Sequence, residues 1–103
     1  MIKVSILYPH SDSCHFDMPY YCNQHIPMVK KTLGSACKGV AVEEGLTGVE
    51  PSSSPLYVAM GHLYFDSLEV CHASFEKHLP AFMEDVPNYT DIQPEMQFSE
   101  VKV

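Results

Sequence analysis

With 103 residues, 46% of them hydrophobic, the chain has the size and composition of one small globular domain. Its net charge of −7, from 13 acidic against 6 basic residues with no basic run, argues against nucleic acid or an anionic membrane as partner. No apolar run reaches transmembrane length and no secretion signal follows Met1, so the expected setting is the cytoplasm, away from membranes.

Taken in order, Ile2, Val4, Ile6 and Tyr8 alternate with Lys3, Ser5 and Leu7, which predicts a first strand with one clearly apolar face, ended by Pro9. A polar loop over residues 10–16 leads into a predicted helix over residues 17–34. Asp17 reads as its N-cap, Pro19 falls in the first turn, Lys30 and Lys31 complement the dipole of the last turn, and Gly34 stops it. At helical spacing Tyr21, His25, Met28 and Thr32 form one stripe, so a phenol and an imidazole stand one turn apart on one face. Pro27 lacks the N–H that the Asn23 carbonyl needs, which predicts a kink or one-turn break just after His25 and a free carbonyl able to fix its tautomer.

Residues 37–44, with Gly39, Val40, Ala41 and Val42, read as a second strand, and residues 45–55 as an exposed loop dense in turn formers. Residues 56–65 read as a strand apolar on both faces: Tyr57, Ala59, Gly61, Leu63 and Phe65 on one parity, Leu56, Val58, Met60, His62 and Tyr64 on the other. Asp66-Ser67-Leu68-Glu69 has the form of a capping box with Asp66 as N-cap. The helix after it is expected to bury Leu68, Cys71 or His72, Phe75 and Leu79, and to be interrupted at Pro80, with Phe82 and Met83 in a separate turn. A turn at residues 87–90 precedes a last strand over residues 91–103, whose parity changes near Glu100 as at a bulge or a strand end leaving the sheet.

The order β-α-β-β-α-β in so short a chain is the split βαβ, ferredoxin-like arrangement of the α+β class. Its two helices cover one sheet face only. The second apolar parity of residues 56–65 therefore calls for another cover, and a second copy packed sheet to sheet as a dimeric α/β barrel is the economical one. Cys14, Cys22, Cys37 and Cys71 form no CxxC and read as reduced, mostly buried thiols. Cys14, His15, Cys22 and His25 are the one conceivable metal set, but their spacing fits no ligand pattern, so no metal is expected.

The stretch Tyr20-Tyr21-Cys22-Asn23-Gln24-His25-Ile26-Pro27-Met28-Val29, preceded by Phe16-Asp17, resembles the helix motif of the EthD family, named for a protein of bacterial ethyl tert-butyl ether degradation. So do Gly39 to Glu43, Tyr57 to Ser67, and Pro87 to Pro94, in the family's order. The resemblance implies a homodimer forming an α/β barrel, with a pocket between helix and sheet in each subunit. Members are often labelled reductases, an oxidoreductase label, yet Gly34, Gly39, Gly45 and Gly48 form no nucleotide-binding fingerprint.

Two classes of function follow. In the first the protein is an enzyme, similar in fold to muconolactone isomerases and to fungal decarboxylases and cyclases. It would work without a cofactor, as an isomerase or lyase, on a small hydrophobic or aromatic molecule. His25, with an ordinary pKa near working pH, is its general acid/base and Tyr21 its donor to a developing oxyanion. His62, Tyr64, Tyr89, Met28 and Met60 are candidates for the substrate-binding wall. His62 also reads as a core imidazole satisfied by a backbone or tyrosine group. In the second class the protein binds a hydrophobic metabolite or supports an oxygenase pathway without catalysis. A third possibility is haem on His25 or His62 as axial ligand.

Overall fold

The alternation of β1 (Ile2–Pro9) sends Val4, Ile6 and Tyr8 to one face, where all three are buried. The computed structural model, which describes residues 1–103, pairs this strand antiparallel with both β3 (Tyr57–Phe65) and β4 (Glu95–Glu100). With β2 (Gly39–Glu44) on the outer side of β3, the sheet order is β2-β3-β1-β4. That order, with one helix in each crossover, is the ferredoxin-like α+β fold. Direct partners share a face, so Val4 opposite Leu63 and Phe98, and Ile6 opposite Gly61 and Met96, place all of these under the helices. The core is therefore made by the odd parity of β3: Ala59, Leu63 and Phe65 are sealed, each large apolar side chain contributing about 2 kcal/mol by its burial.

Each helix is continuous through its proline. Helix α1, residues 18–33, consists of Met18–Tyr20, a π-helical turn Tyr21–His25, and Ile26–Leu33. Helix α2, residues 68–85, repeats the design with Leu68–Cys71, a π turn His72–Glu76, and Lys77–Asp85. The carbonyl that each proline ring crowds, Asn23 for Pro27 and Glu76 for Pro80, belongs to the widened turn, so the expected breaks become one extra residue per helix. In α1 the Ile26 N–H reaches back five residues to the Tyr21 carbonyl. That extra residue shifts the buried stripe by one position. Tyr21 and His25 are buried as the spacing predicts, but the series continues at Val29 and Leu33, leaving Met28 half-buried and Thr32 exposed.

Asp17 accepts from the Tyr20 N–H at 3.0 Å, and Gly34, with φ of 60°, occupies the C-cap in a backbone region that favours glycine. At α2 the cap is Ser67, whose hydroxyl accepts from the Val70 N–H at 3.1 Å; Asp66 instead faces Lys38 at 3.8 Å on the surface. The N-cap thus lies one residue later than expected, at Ser67 with its extended backbone, and with Val70 at N3 no side chain returns the bond that would complete a box. Leu68, expected inside, is exposed, while Cys71, Phe75 and Phe82 are buried. Of the cysteines only Cys71 is interior; Cys22 is exposed and Cys14 and Cys37 are half-buried. The last strand is shorter than its pattern, beginning after Pro94 and ending at Glu100.

The other face of the sheet carries Lys3, Ser5, Leu7, Met60, His62 and Tyr64 and has no helix over it, consistent with a shortest dimension of 19 Å, about two layers. Gly61, on the helix side, matters for a specific reason. A Cβ there would lie 2.2 Å from the Tyr21 hydroxyl oxygen. Gly61→Ala is expected to cost about 1–3 kcal/mol by overpacking, and Tyr21→Phe, which removes that oxygen, to restore most of it in the double variant. Additive losses in urea unfolding would show the contact is not what sets the cost. By the same measurement Ser67→Ala should cost about 1 kcal/mol and Asp66→Ala less than about 0.5.

Candidate functional site

The π turn of α1 turns Tyr21 and His25 together into the space between the helices and the sheet, their rings stacked at 5.4 Å and 14°. Tyr89 arrives from the far end of the chain. The Asp17 N–H donates to the Tyr89 carbonyl at 2.7 Å, the Thr90 hydroxyl to the His15 carbonyl at 2.6 Å, and the His15 N–H to Asp91 at 2.8 Å, lashing residues 89–91 to the start of α1. Tyr8 rises from the end of β1. The phenols of Tyr8, Tyr21 and Tyr89, each about 1% exposed, are the largest sealed side chains in the protein.

His25 is 5% exposed, and its Nδ1 lies 2.9 Å from Asp85 Oδ2 at the end of α2. The Asp85 carboxylate also receives the Tyr20 hydroxyl at 2.8 Å and the Asn88 amide at 2.9 Å, both on Oδ1. Burial opposes charge on Asp85, but the hydrogen bonds from Asn88, His25 and Tyr20 outweigh it and hold its pKa below the usual carboxylate value. Burial has the upper hand at His25, whose pKa is lowered although the bond to Asp85 and its charge pull the other way. At neutral pH the pair is therefore a carboxylate and a neutral imidazole.

These charge states orient the protons. An ionised Asp85 only accepts, so Nδ1 carries the hydrogen and Nε2 presents a lone pair. Nε2 faces the Tyr89 hydroxyl at 3.5 Å, which points its hydrogen at the ring; Tyr89 then accepts from Tyr8 at 2.7 Å. Tyr8 keeps its lone pairs for its other phenolic neighbour, Tyr21. Burial, the largest influence on all three phenols, raises their pKa values and keeps them as protonated donors.

These four groups share one end of a partly open cavity of about 30 Å³, space for a water molecule. The rest of its wall is apolar, including Ile6, Val29, Leu63, Phe75, Phe82 and Val86, and no Asp, Glu, Lys or Arg lines it. Met83 and Met96 lie on its wall as unbranched, adaptable side chains. No group of three or more His, Cys, Asp or Glu side chains is arranged to hold a metal ion.

His25, Tyr21 and Tyr89 are thus brought together as the sequence suggests. Met28 is not: the one-residue shift of the stripe turns it to a separate, polar groove between the helices with Tyr20, Gln24, Glu84, Asp85 and Asn88. Met60, His62 and Tyr64 are likewise elsewhere, on the sheet face away from the helices, because their parity is opposite to that of Gly61 and Leu63. His62 is satisfied there by side chains rather than by backbone or tyrosine. Its Nε2 meets Glu43 at 3.1 Å and its Nδ1 the Ser5 hydroxyl at 2.9 Å. Asp85 and Tyr8 are the site residues absent from the sequence reading. The apolar parity of β1 marks Tyr8 as interior, whereas nothing local marks Asp85.

The EthD domain matches residues 16–93. An EthD-like protein from Ralstonia eutropha JMP134 is 45% identical, over 99% of this chain and 92% of that one, with a TM-score of 0.93. An EthD family protein from Bacillus halodurans C-125 shares the fold with a TM-score of 0.70 at 16% identity over 99% of each chain. A Deinococcus radiodurans protein provisionally named an antibiotic biosynthesis monooxygenase does so at 0.62 and 13% identity, over 100% of this chain and 94% of that one. No curated protein matches. With three quarters of its length, including Tyr21, His25, Asp85 and Tyr89, inside that domain, this chain belongs to the EthD family.

Proposed function

We propose that the protein is a cofactor-independent acid–base enzyme of small-molecule catabolism, acting on a small hydrophobic or aromatic molecule. One observation carries this reading: a neutral imidazole, oriented by a carboxylate through Nδ1, presents its Nε2 lone pair at the polar end of an otherwise apolar cavity. Nε2 takes a proton from the substrate, the imidazolium so formed is stabilised by Asp85, and the same proton is returned elsewhere on the molecule. An isomerisation or elimination needs no more than that. The substrate enters by displacement of flexible wall residues such as Met83 and Met96.

Haem fits neither histidine well. No Lys or Arg lines the cavity at His25 to meet the two propionates of haem, and both ring nitrogens of His62 already have partners. For the bare sheet face, where Leu7, Met60 and Tyr64 are half-buried, the partner in this reading is a second copy of the chain. Light scattering on the purified protein is expected to give twice the 11.6 kDa chain mass; a monomer at micromolar concentration would remove that part of the reading.

A generic carbon acid tests the base without knowledge of the natural substrate. With nitrobenzisoxazole, loss of the ring C–H to a base opens the N–O bond and releases a coloured phenolate. His25→Asn is expected to lower this rate by about a hundredfold. Because His25 works only when neutral and its pKa is lowered, the rate should hold level at neutral pH and fall only on acidification below the ordinary histidine range. Asp85→Asn removes the charge that props that pKa up, so the acid limb should move to still lower pH while the plateau drops. An unchanged profile in both variants would place the base elsewhere.

A further inference from the structure

We infer that the cavity's ligand is a neutral carbonyl compound, its oxygen received by Tyr21 and Tyr89 and its adjacent C–H turned toward His25 Nε2. This rests on the acid–base reading above and adds the chemical class of the substrate. Three features of the cavity lead to it.

First, the wall offers an anion nothing. No Lys or Arg lines the cavity, and the nearest fixed charge is the Asp85 carboxylate, 2.9 Å behind His25. A ligand carboxylate or phosphate there would be desolvated without a counter-charge and repelled by Asp85. Second, two phenol hydrogens at the polar end, those of Tyr89 and Tyr21, have no short hydrogen bond of their own. Asp85 fixes the direction of the whole chain, so Tyr89 points its hydrogen at Nε2 over 3.5 Å, a long bond, and Tyr8 donates to Tyr89 at 2.7 Å. Tyr21 has the Tyr8 phenol as its polar neighbour but no hydrogen bond as short as that between Tyr8 and Tyr89, and its hydroxyl oxygen is held in place against Gly61. A carbonyl oxygen can take the hydrogens of both Tyr21 and Tyr89, and in doing so it frees Nε2. Third, a carbonyl makes the neighbouring C–H acidic, which is what a base of modest strength requires.

The step then balances within the site. Nε2 takes the α-proton, the C–H electron pair forms the C=C bond, and the C=O pair moves to oxygen, where two phenols hold the enolate. The proton returns to oxygen or to another carbon and leaves His25 neutral, with no oxidant, reductant or co-reactant consumed.

Three probes of one outline separate the terms: acetophenone, benzoate and isopropylbenzene, titrated against the full-length protein. Acetophenone is expected to bind at least fivefold more tightly than isopropylbenzene and benzoate most weakly of the three. The infrared carbonyl band of bound, isotope-labelled acetophenone should shift to lower frequency. Tyr21→Phe should reduce that shift and bring acetophenone toward isopropylbenzene, while leaving isopropylbenzene itself unchanged. Benzoate binding as tightly as acetophenone, an unshifted carbonyl band, or no binding of acetophenone would each overturn the inference. Exchange of the acetophenone methyl hydrogens in heavy water reads the base separately. Exchange no faster with the wild type than with His25→Asn, alongside a shifted carbonyl band, sinks the acid–base reading and leaves the ligand class standing.

Discussion

The hydrogen bond between His25 Nδ1 and Asp85 Oδ2 joins the middle of one helix to the end of the other, and the order of the site follows from it. Because three donors converge on Asp85, its carboxylate stays charged in a place where burial disfavours charge. That charge selects one imidazole tautomer, and the tautomer in turn gives direction to the phenols of Tyr89 and Tyr8. A single acidic residue near the protein surface thus decides which way hydrogens point several ångströms deeper. Its outer oxygen faces a polar groove while its inner one serves an apolar cavity, so the two environments meet in one side chain.

Much of the fold was legible because two periods in the sequence are clean. The alternation of residues 2–8 and 57–65 and the helical spacing around Tyr21 suffice for β-α-β-β-α-β, and the motif around Tyr20 to Val29 points to the family. The site was legible only where it lies on one element. Tyr21 and His25 are a turn apart, so spacing finds them. Asp85 is 60 residues from its partner, in a stretch where it resembles any solvated acid beside Glu84. Residues 57–65 are apolar on both parities, which hides the choice of face. What breaks the tie is Gly61, the position where the backbone must leave room for a phenol, and its meaning depends on knowing which helix lies above it. His62 was a natural candidate for the same reason that it proved to be elsewhere: a buried histidine in a strand has a partner network, here Ser5 and Glu43, and nothing in the local sequence says which side of the sheet that network occupies.

Proline was informative in a different way. Pro27 and Pro80 each predict trouble in a helix, and trouble is present, but as a widened turn that keeps the axis going rather than as a break. Tertiary packing chooses between them, since an unbroken α2 carries Asp85 to its place beside His25 and an unbroken α1 brings Val29 and Leu33 onto the sheet.

The π turn at Tyr21–His25 has a consequence for how this chain is to be lined up with others. A π turn is an α-helix that has absorbed one inserted residue, and each residue of an α-helix turns the chain by about 100°. A related sequence lacking one residue between Tyr21 and Pro27 would keep the helix and pack the same sheet. Its residue aligned with His25 would nevertheless look in another direction, and a gap of one position in that short interval would separate chains that share this dyad from chains that share only its fold.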